Sequence, residues 1–147
     1  MQWTALDFKN FAAVFDDVAD ALWNYRVQNA SQLSQAEKDL ITTRYGQLVS
    51  SGELLENKAV HTALAEIDGD VAALQNATHE AKDAMDKISD VQKALGIAVA
   101  VVGLGTAILN PTPGAIAGSF STLVQSIKSA TAKPATDGAG SGTPAGS

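Results

Sequence analysis

Apolar residues fall on helical spacing through most of the chain. Phe8, Phe11, Phe15, Val18, Leu22 and Tyr25 recur three and four residues apart, which is one stripe along one face of a helix. Ala12 and Ala19 widen that stripe, and Thr4 followed by Asp7 resembles a capping box, so the pattern predicts a helix over 5–29. A second box, Ser34-Gln35-Ala36-Glu37, opens a helix over 35–50 with Leu40, Ile41, Tyr45, Leu48 and Val49 on its apolar face. Ser50-Ser51-Gly52 reads as its stop. The third stripe is the longest: Val60, Leu64, Ile67, Val71, Leu74, Thr78, Ala81, Met85 and Ile88 alternate steps of four and three. That heptad-like repeat predicts one long coiled-coil-like helix over 54–94. Gly69, between Asp68 and Asp70, is its weak spot and costs about 1 kcal/mol against alanine. Such a helix would run about 62 Å, so an elongated body is expected.

The pattern then changes. ALGIAVAVVGLGTAIL, ending at Leu109, carries no charge; Asn110-Pro111-Thr112-Pro113-Gly114 is a turn; AIAGSFSTLVQSI, again uncharged, reaches Ile127. The segment 94–127 is therefore an uncharged apolar helical hairpin. A helix apolar on all sides is buried either in protein or in lipid. Length does not choose between them, because sixteen residues span about 24 Å against a hydrocarbon core of about 30 Å. Gly96, Ala100, Gly103 and Ala107 give the small-residue spacing that lets helices approach closely in a bilayer, and the same spacing suits a tight protein core. Two readings follow. In the first the hairpin enters a membrane, with Leu95, Ile97, Val99, Val101, Val102, Leu104, Ile108 and Leu109 from the first arm and Phe120, Leu123 and Val124 from the second meeting lipid. In the second these residues are buried in the bundle or in an interface between copies of the chain. The expected fold class is all-α, an elongated helical hairpin or bundle, with a single helical domain over 1–130. The stretch 131–147 is Ala, Gly, Ser, Thr and Pro with one Lys and one Asp, and disorder is expected there.

Composition sharpens the picture. No proline precedes Pro111, which disfavours a turn-rich all-β domain. The chain is 46% hydrophobic, but 26 residues are alanine and only 8 are aromatic. Seven of those 8 lie between Trp3 and Tyr45, so the N-terminal third supplies the bulky side of the core. The absence of cysteine excludes disulfides, a thiolate metal site and a cysteine nucleophile. The net charge is −6, with 15 acids and 8 bases in residues 1–93. An acidic surface repels phosphate backbones, so no nucleic-acid partner is expected. It should also resist anionic lipid near neutral pH and relent as its carboxylates protonate. The start, Met1-Gln2-Trp3-Thr4, has no basic region and no early apolar run, so no signal peptide is read. A cytoplasmic location or export by a signal-independent route is expected, with membrane association if the hairpin inserts.

Candidate chemistry is thin. His61 and His79 are 18 residues apart, which on one straight helix puts them about 27 Å from each other. His79-Glu80-Ala81-Lys82-Asp83 begins like a zinc-protease helix but has Asp where the second His belongs. His79, Asp83, Asp86 and Asp90 share one side of the helix, with Lys82, Lys87 and Lys93 in reach, and read as a solvated face laced with ion pairs. Gly103-Leu104-Gly105 lacks the third glycine and the preceding strand of a phosphate loop. No catalytic residue, metal, cofactor or small-molecule substrate is expected. The expected partner is a lipid membrane or further copies of the chain.

The stripe over 60–88 followed by the Gly-rich apolar hairpin over 94–127 resembles the layout of the α-helical pore-forming toxins of the cytolysin A type. The resemblance implies an apolar element hidden in a soluble form that enters the membrane on oligomeric assembly. The chain departs from that family in being short and in lacking a long returning helix after the hairpin. A component or a minimal relative would fit those departures.

Overall fold

The first helix begins where its cap predicts. In the computed structural model, which describes residues 2–61, 64–66, 70–88, 90–110, 112 and 114–131, α1 runs Ala5–Gln28. Thr4 Oγ1 accepts from Asp7 N at 3.2 Å while Thr4 N donates to Asp7 Oδ2 at 2.7 Å, so the box closes from both sides. A short 3₁₀ turn, Ala30–Gln32, leads to α2, Gln35–His61. There Ser34 and Glu37 make the second box at 2.9 and 3.1 Å. The two helices pack along their length. Trp23 meets Tyr45 near the connection and Ala12 meets Gly52 further away, so they run antiparallel. That hairpin brings the residues before α1 beside those after α2. They pair as two short antiparallel strands, β1 (Gln2–Thr4) and β2 (Leu64–Glu66), with Trp3 opposite Ala65. Trp3 is fully buried, stacks on Phe11 at 5.2 Å and tilts against Phe8 at 5.6 Å.

Three further helices follow among the described residues: α3 (Val71–Lys87), α4 (Val91–Leu109) and α5 (Ala115–Thr131). The closest-packed pairs are α1 with α2, α2 with α4, α4 with α5, α5 with α3 and α3 with α1. The helices thus close a five-membered ring around one core. Among the described residues the fold is all-α apart from the two short strands.

Two expected boundaries are corrected. Helix α2 does not stop at Ser50-Ser51-Gly52 but continues through it to His61. Burial of Leu48 and Leu55 on either side offsets the helix penalty of glycine. Gly52 also serves packing: a methyl there would lie 2.9 Å from Asp16 Oδ1 and 3.5 Å from the Ala12 carbonyl oxygen. The single helix over 54–94 is replaced by the end of α2, β2, α3 and the start of α4. Asp70 caps α3, accepting from Ala72 N at 3.0 Å and Ala73 N at 3.3 Å. Asp90 caps α4, accepting from Gln92 N at 2.8 Å. Short acidic side chains compete for backbone N–H groups in this way, and folding back lets both halves bury their stripes. The coiled coil is accordingly not seen. Val71, Leu74, Thr78, Ala81 and Met85 instead face α1 and α5 within the bundle, with Leu74, Thr78, Ala81 and Met85 fully buried. The side chains of Val60, His61, Leu64 and Ile67, and the stretch 132–147 expected to be disordered, lie outside the described residues.

The uncharged hairpin is present as α4, a turn and α5. Ala115 N donates to the Thr112 carbonyl at 3.0 Å, and Gly114 sits at φ 78°, the left-handed conformation glycine adopts freely. Among the glycines of α4 the closest approach is made by Gly105; of the predicted small-residue run, Ala100 and Ala107 are buried and Gly96 and Gly103 border open space. A methyl at Gly105 would lie 2.5 Å from the Phe15 ring and 3.4 Å from Ser51 Cβ, whereas around Gly96 and Gly103 there is open space. Gly105→Ala should therefore lower stability, since overpacking costs about 1–3 kcal/mol against a helix-propensity gain of about 1 kcal/mol. Gly103→Ala should raise it by about 0.5–1 kcal/mol. Thermal melts of the two variants should move in opposite directions. A shift in the same direction would mean that Gly105 is not at a three-helix contact.

Candidate functional site

Among the described helices the hairpin is the part that lacks charge, and the structure divides its candidate residues by depth. Ile97, Val101, Leu104, Ile108 and Leu123 have no exposure, and Leu95 is nearly as deep. Val102, Leu109 and Phe120 are half-buried against the same core, and Val124 is half-buried. Val99 alone among them faces out, at 47% exposure. The apolar side of α4 is thus covered by α2 and α5, with Phe15 of α1 reaching it at Gly105.

The outer side of the hairpin carries no charge between Ala94 and Ile127. On α4 it consists of Gly96, Val99, Gly103 and Thr106, and on α5 of Ala117, Gly118, Ser121, Thr122 and Gln125. Polar groups there are small. Thr106 and Thr122 Oγ1 donate back to the Val102 and Gly118 carbonyls, and Ser119 Oγ reaches the Gly103 carbonyl at 3.4 Å, tying the two arms together. The far end of α4 is held by α2, where Lys58 Nζ donates to the Leu109 carbonyl at 3.2 Å. A cation there also complements the negative end of the helix dipole. Sequence reasoning missed Lys58, whose partner is 51 residues away.

Acidic groups gather where α1 meets α2: Asp16 on α1 lies near Glu53 and Glu56 of α2 as well as Asp17 and Asp20 of its own helix, and Asp17 also lies near Lys82 of α3. Burial beside Gly52 pushes the Asp16 carboxyl above its ordinary 3.8, and repulsion from Glu56, Asp20, Asp17 and Glu53 adds to the shift. The Asp16 and Asp20 repulsion is legible in the sequence; the α2 glutamates come only with the fold. A raised carboxyl pKa means that stability is fully present below the unfolded value and falls as pH rises through the folded one. Asp16→Asn should therefore stabilise the protein at pH 7, by about 0.5 kcal/mol or less because the group is largely exposed. The gain should vanish below the ordinary value of 3.8. Paired melts at neutral and acid pH check this, and an equal gain at both would remove the electrostatic cause.

The candidate chemistry on α3 behaves as a solvated face. Lys82 Nζ pairs with Asp86 Oδ2 at 3.0 Å, and that hydrogen bond and charge hold the ammonium pKa above its usual value. His79 and Asp83 are exposed, and no group of metal-binding side chains occurs among the described residues. Asp90, predicted as part of the same row, is a helix cap instead. A cavity of about 170 Å³ between α1 and α3 is lined by Asn24, Tyr25, Gln28, Met85 and Asp86 among others. Burial, then Asp90 and Glu37, raises the Tyr25 phenol, which disfavours it as a base. Comparison of the chain with protein-family models, curated proteins and solved structures finds no match.

Proposed function

We propose that this is a non-enzymatic helical protein that binds lipid membranes through the α4–α5 hairpin. The observation that carries the reading is the absence of charge on the outer face of the hairpin as well as on its buried face. Helices at the surface of a soluble bundle ordinarily carry charge outward, as α1, α2 and α3 do here. A face without ions loses little hydration against headgroups or hydrocarbon. By length and composition α4 is able to cross a membrane, a property that buried core helices share. Contact would begin at the outer face, around Val99. The deep residues, Ile97 to Ile108, would reach lipid only after the hairpin swings out of the ring. Oligomerisation and pore formation, as the layout of the cytolysin A type implies, would follow that release.

A second reading is favoured by one feature, the interlock of Gly105 with Phe15 and Ser51. A hairpin keyed into α1 and α2 in this way also suits a permanent core, and the protein would then act as a soluble interaction or structural protein. Flotation with phospholipid vesicles separates the two readings. Wild type should float. Val99→Asp should remain folded, because the site is exposed, and should lose binding by about 100-fold, given the 2.5–3.5 kcal/mol cost of a central charge on insertion scales. Wild type that stays out of the vesicle fraction at every composition would overturn the membrane reading and leave the second.

A further inference from the structure

We propose that the groove between α4 and α5 seats the headgroup of an anionic phospholipid, with Lys93 and Lys128 meeting its negative charge; this rests on the membrane reading above. The start of α4 and the end of α5 lie side by side. Gln92, Lys93 and Gly96 line one wall of an open groove, and Ser121, Thr122, Gln125, Ser126, Ser129 and Ala130 line the other. The volume is about 440 Å³, on the scale of a small-molecule site. Its walls offer hydroxyls and amides, which donate to phosphodiester oxygens without bringing a negative charge. Lys93 is at the groove itself, and Lys128 is on the last turn of α5 beside Ser129. Neither lysine has an ion pair or side-chain hydrogen bond among the described residues, and both are exposed. They are the only charges on the hairpin helices.

Charge complementarity selects the occupant. Asp16 lies where α1 meets α2, among the carboxylates of Asp17, Asp20, Glu53 and Glu56, while α5 packs on α4 and α3. The helices α4 and α5 carry a net positive charge and α1, α2 and α3 each a net negative one, with Asp90, the cap of α4, three residues before Lys93. The net charge of −6 opposes approach to an anionic surface, and the orientation with the hairpin toward it and α1–α2 away is the one in which local attraction at the two lysines offsets that repulsion. The hairpin then meets the surface with its uncharged face flanked by two cations, a pattern that combines headgroup attraction with apolar contact.

The test compares vesicles of phosphatidylcholine alone with vesicles containing a one-third share of phosphatidylglycerol. Lys93→Gln/Lys128→Gln should bind the anionic vesicles roughly 30-fold more weakly than wild type, from about five-fold per lysine near an anionic surface. It should match wild type on the neutral vesicles and keep its melting temperature. Lys9→Gln/Lys38→Gln, which removes the same charge from the α1–α2 pair, should bind as wild type does. Millimolar inorganic phosphate should not compete. Undiminished anionic preference in Lys93→Gln/Lys128→Gln, an equal loss in the Lys9/Lys38 variant, or no preference in wild type would each overturn the headgroup site while leaving the membrane reading in place. Competition by phosphate would make the groove a free-anion site and overturn the lipid assignment. Failure of wild type to bind either vesicle would instead defeat the membrane reading on which this one rests.

Discussion

Leu104→Asp should unfold the protein in the absence of any membrane. Leu104 has no exposure and belongs to the core cluster shared by all five helices. An unpaired carboxylate at such a position costs on the order of 3–5 kcal/mol, in addition to the lost apolar contacts. Domains of this size are stable by only about 5–15 kcal/mol, so the substitution removes a large share of the total. Circular dichroism should show a sharply lowered melting temperature or loss of the cooperative transition. A normal melt would mean that α4 does not pack as described. The consequence for function is direct: a charge at Leu104 cannot report on membrane insertion, because it breaks the bundle first. The exposed Val99 can, since an aspartate there stays in water until lipid arrives.

Leu74→Asp should have a comparable effect for a different reason. Its stripe has the period of a coiled-coil seam, which would make the residue an intermolecular contact. In the structure Leu74 is covered by other helices of the same chain, on an α3 that packs against α1 and α5. The cavity left by the lost leucine alone costs about 2–5 kcal/mol, and the buried charge adds to it. The expected result is loss of thermal stability that does not depend on protein concentration. Concentration-dependent melting of wild type, with Leu74→Asp folded but of lower mass by light scattering, would return the stripe to an interface between copies.

The local signals in the sequence read well where the interaction they encode is also local. Both capping boxes are three-residue interactions, and both form. The α1 stripe is buried as its spacing predicts. The break between 61 and 71 escaped because periodicity is blind to it: two helices whose stripes stay in phase give the same pattern as one. The signal beside that break was Asp70, suited to an N-cap but named only as a neighbour of Gly69; Asp90, read as part of a solvated row, marked the second break, before α4. The strands were not legible at all. They are three residues each, and their pairing depends on the α1–α2 hairpin having already brought their ends together.

The candidate site divides along the same line. That 94–127 holds no charge is a property of sequence, and it restricts where the segment is able to reside. Which of its residues are hidden was decided by the fold, because an all-apolar helix has no polar side to declare its outward face. Ile97, Val101 and Leu104 face inward and Val99 outward in a packing where Gly105 lets α4 close on Phe15 and Ser51. Lys58 on the Leu109 carbonyl and the glutamates facing Asp16 arose in the same way, from contacts between helices far apart in the chain. The sequence by itself determined helix content, caps, the location of bulky side chains and the uncharged hairpin, since each rests on interactions within a few residues. Tertiary structure alone decided where the long stripe breaks, the ring order of the helices and the depth of each hairpin residue. Those depend on the summed burial of surfaces from the whole chain, which no local window contains.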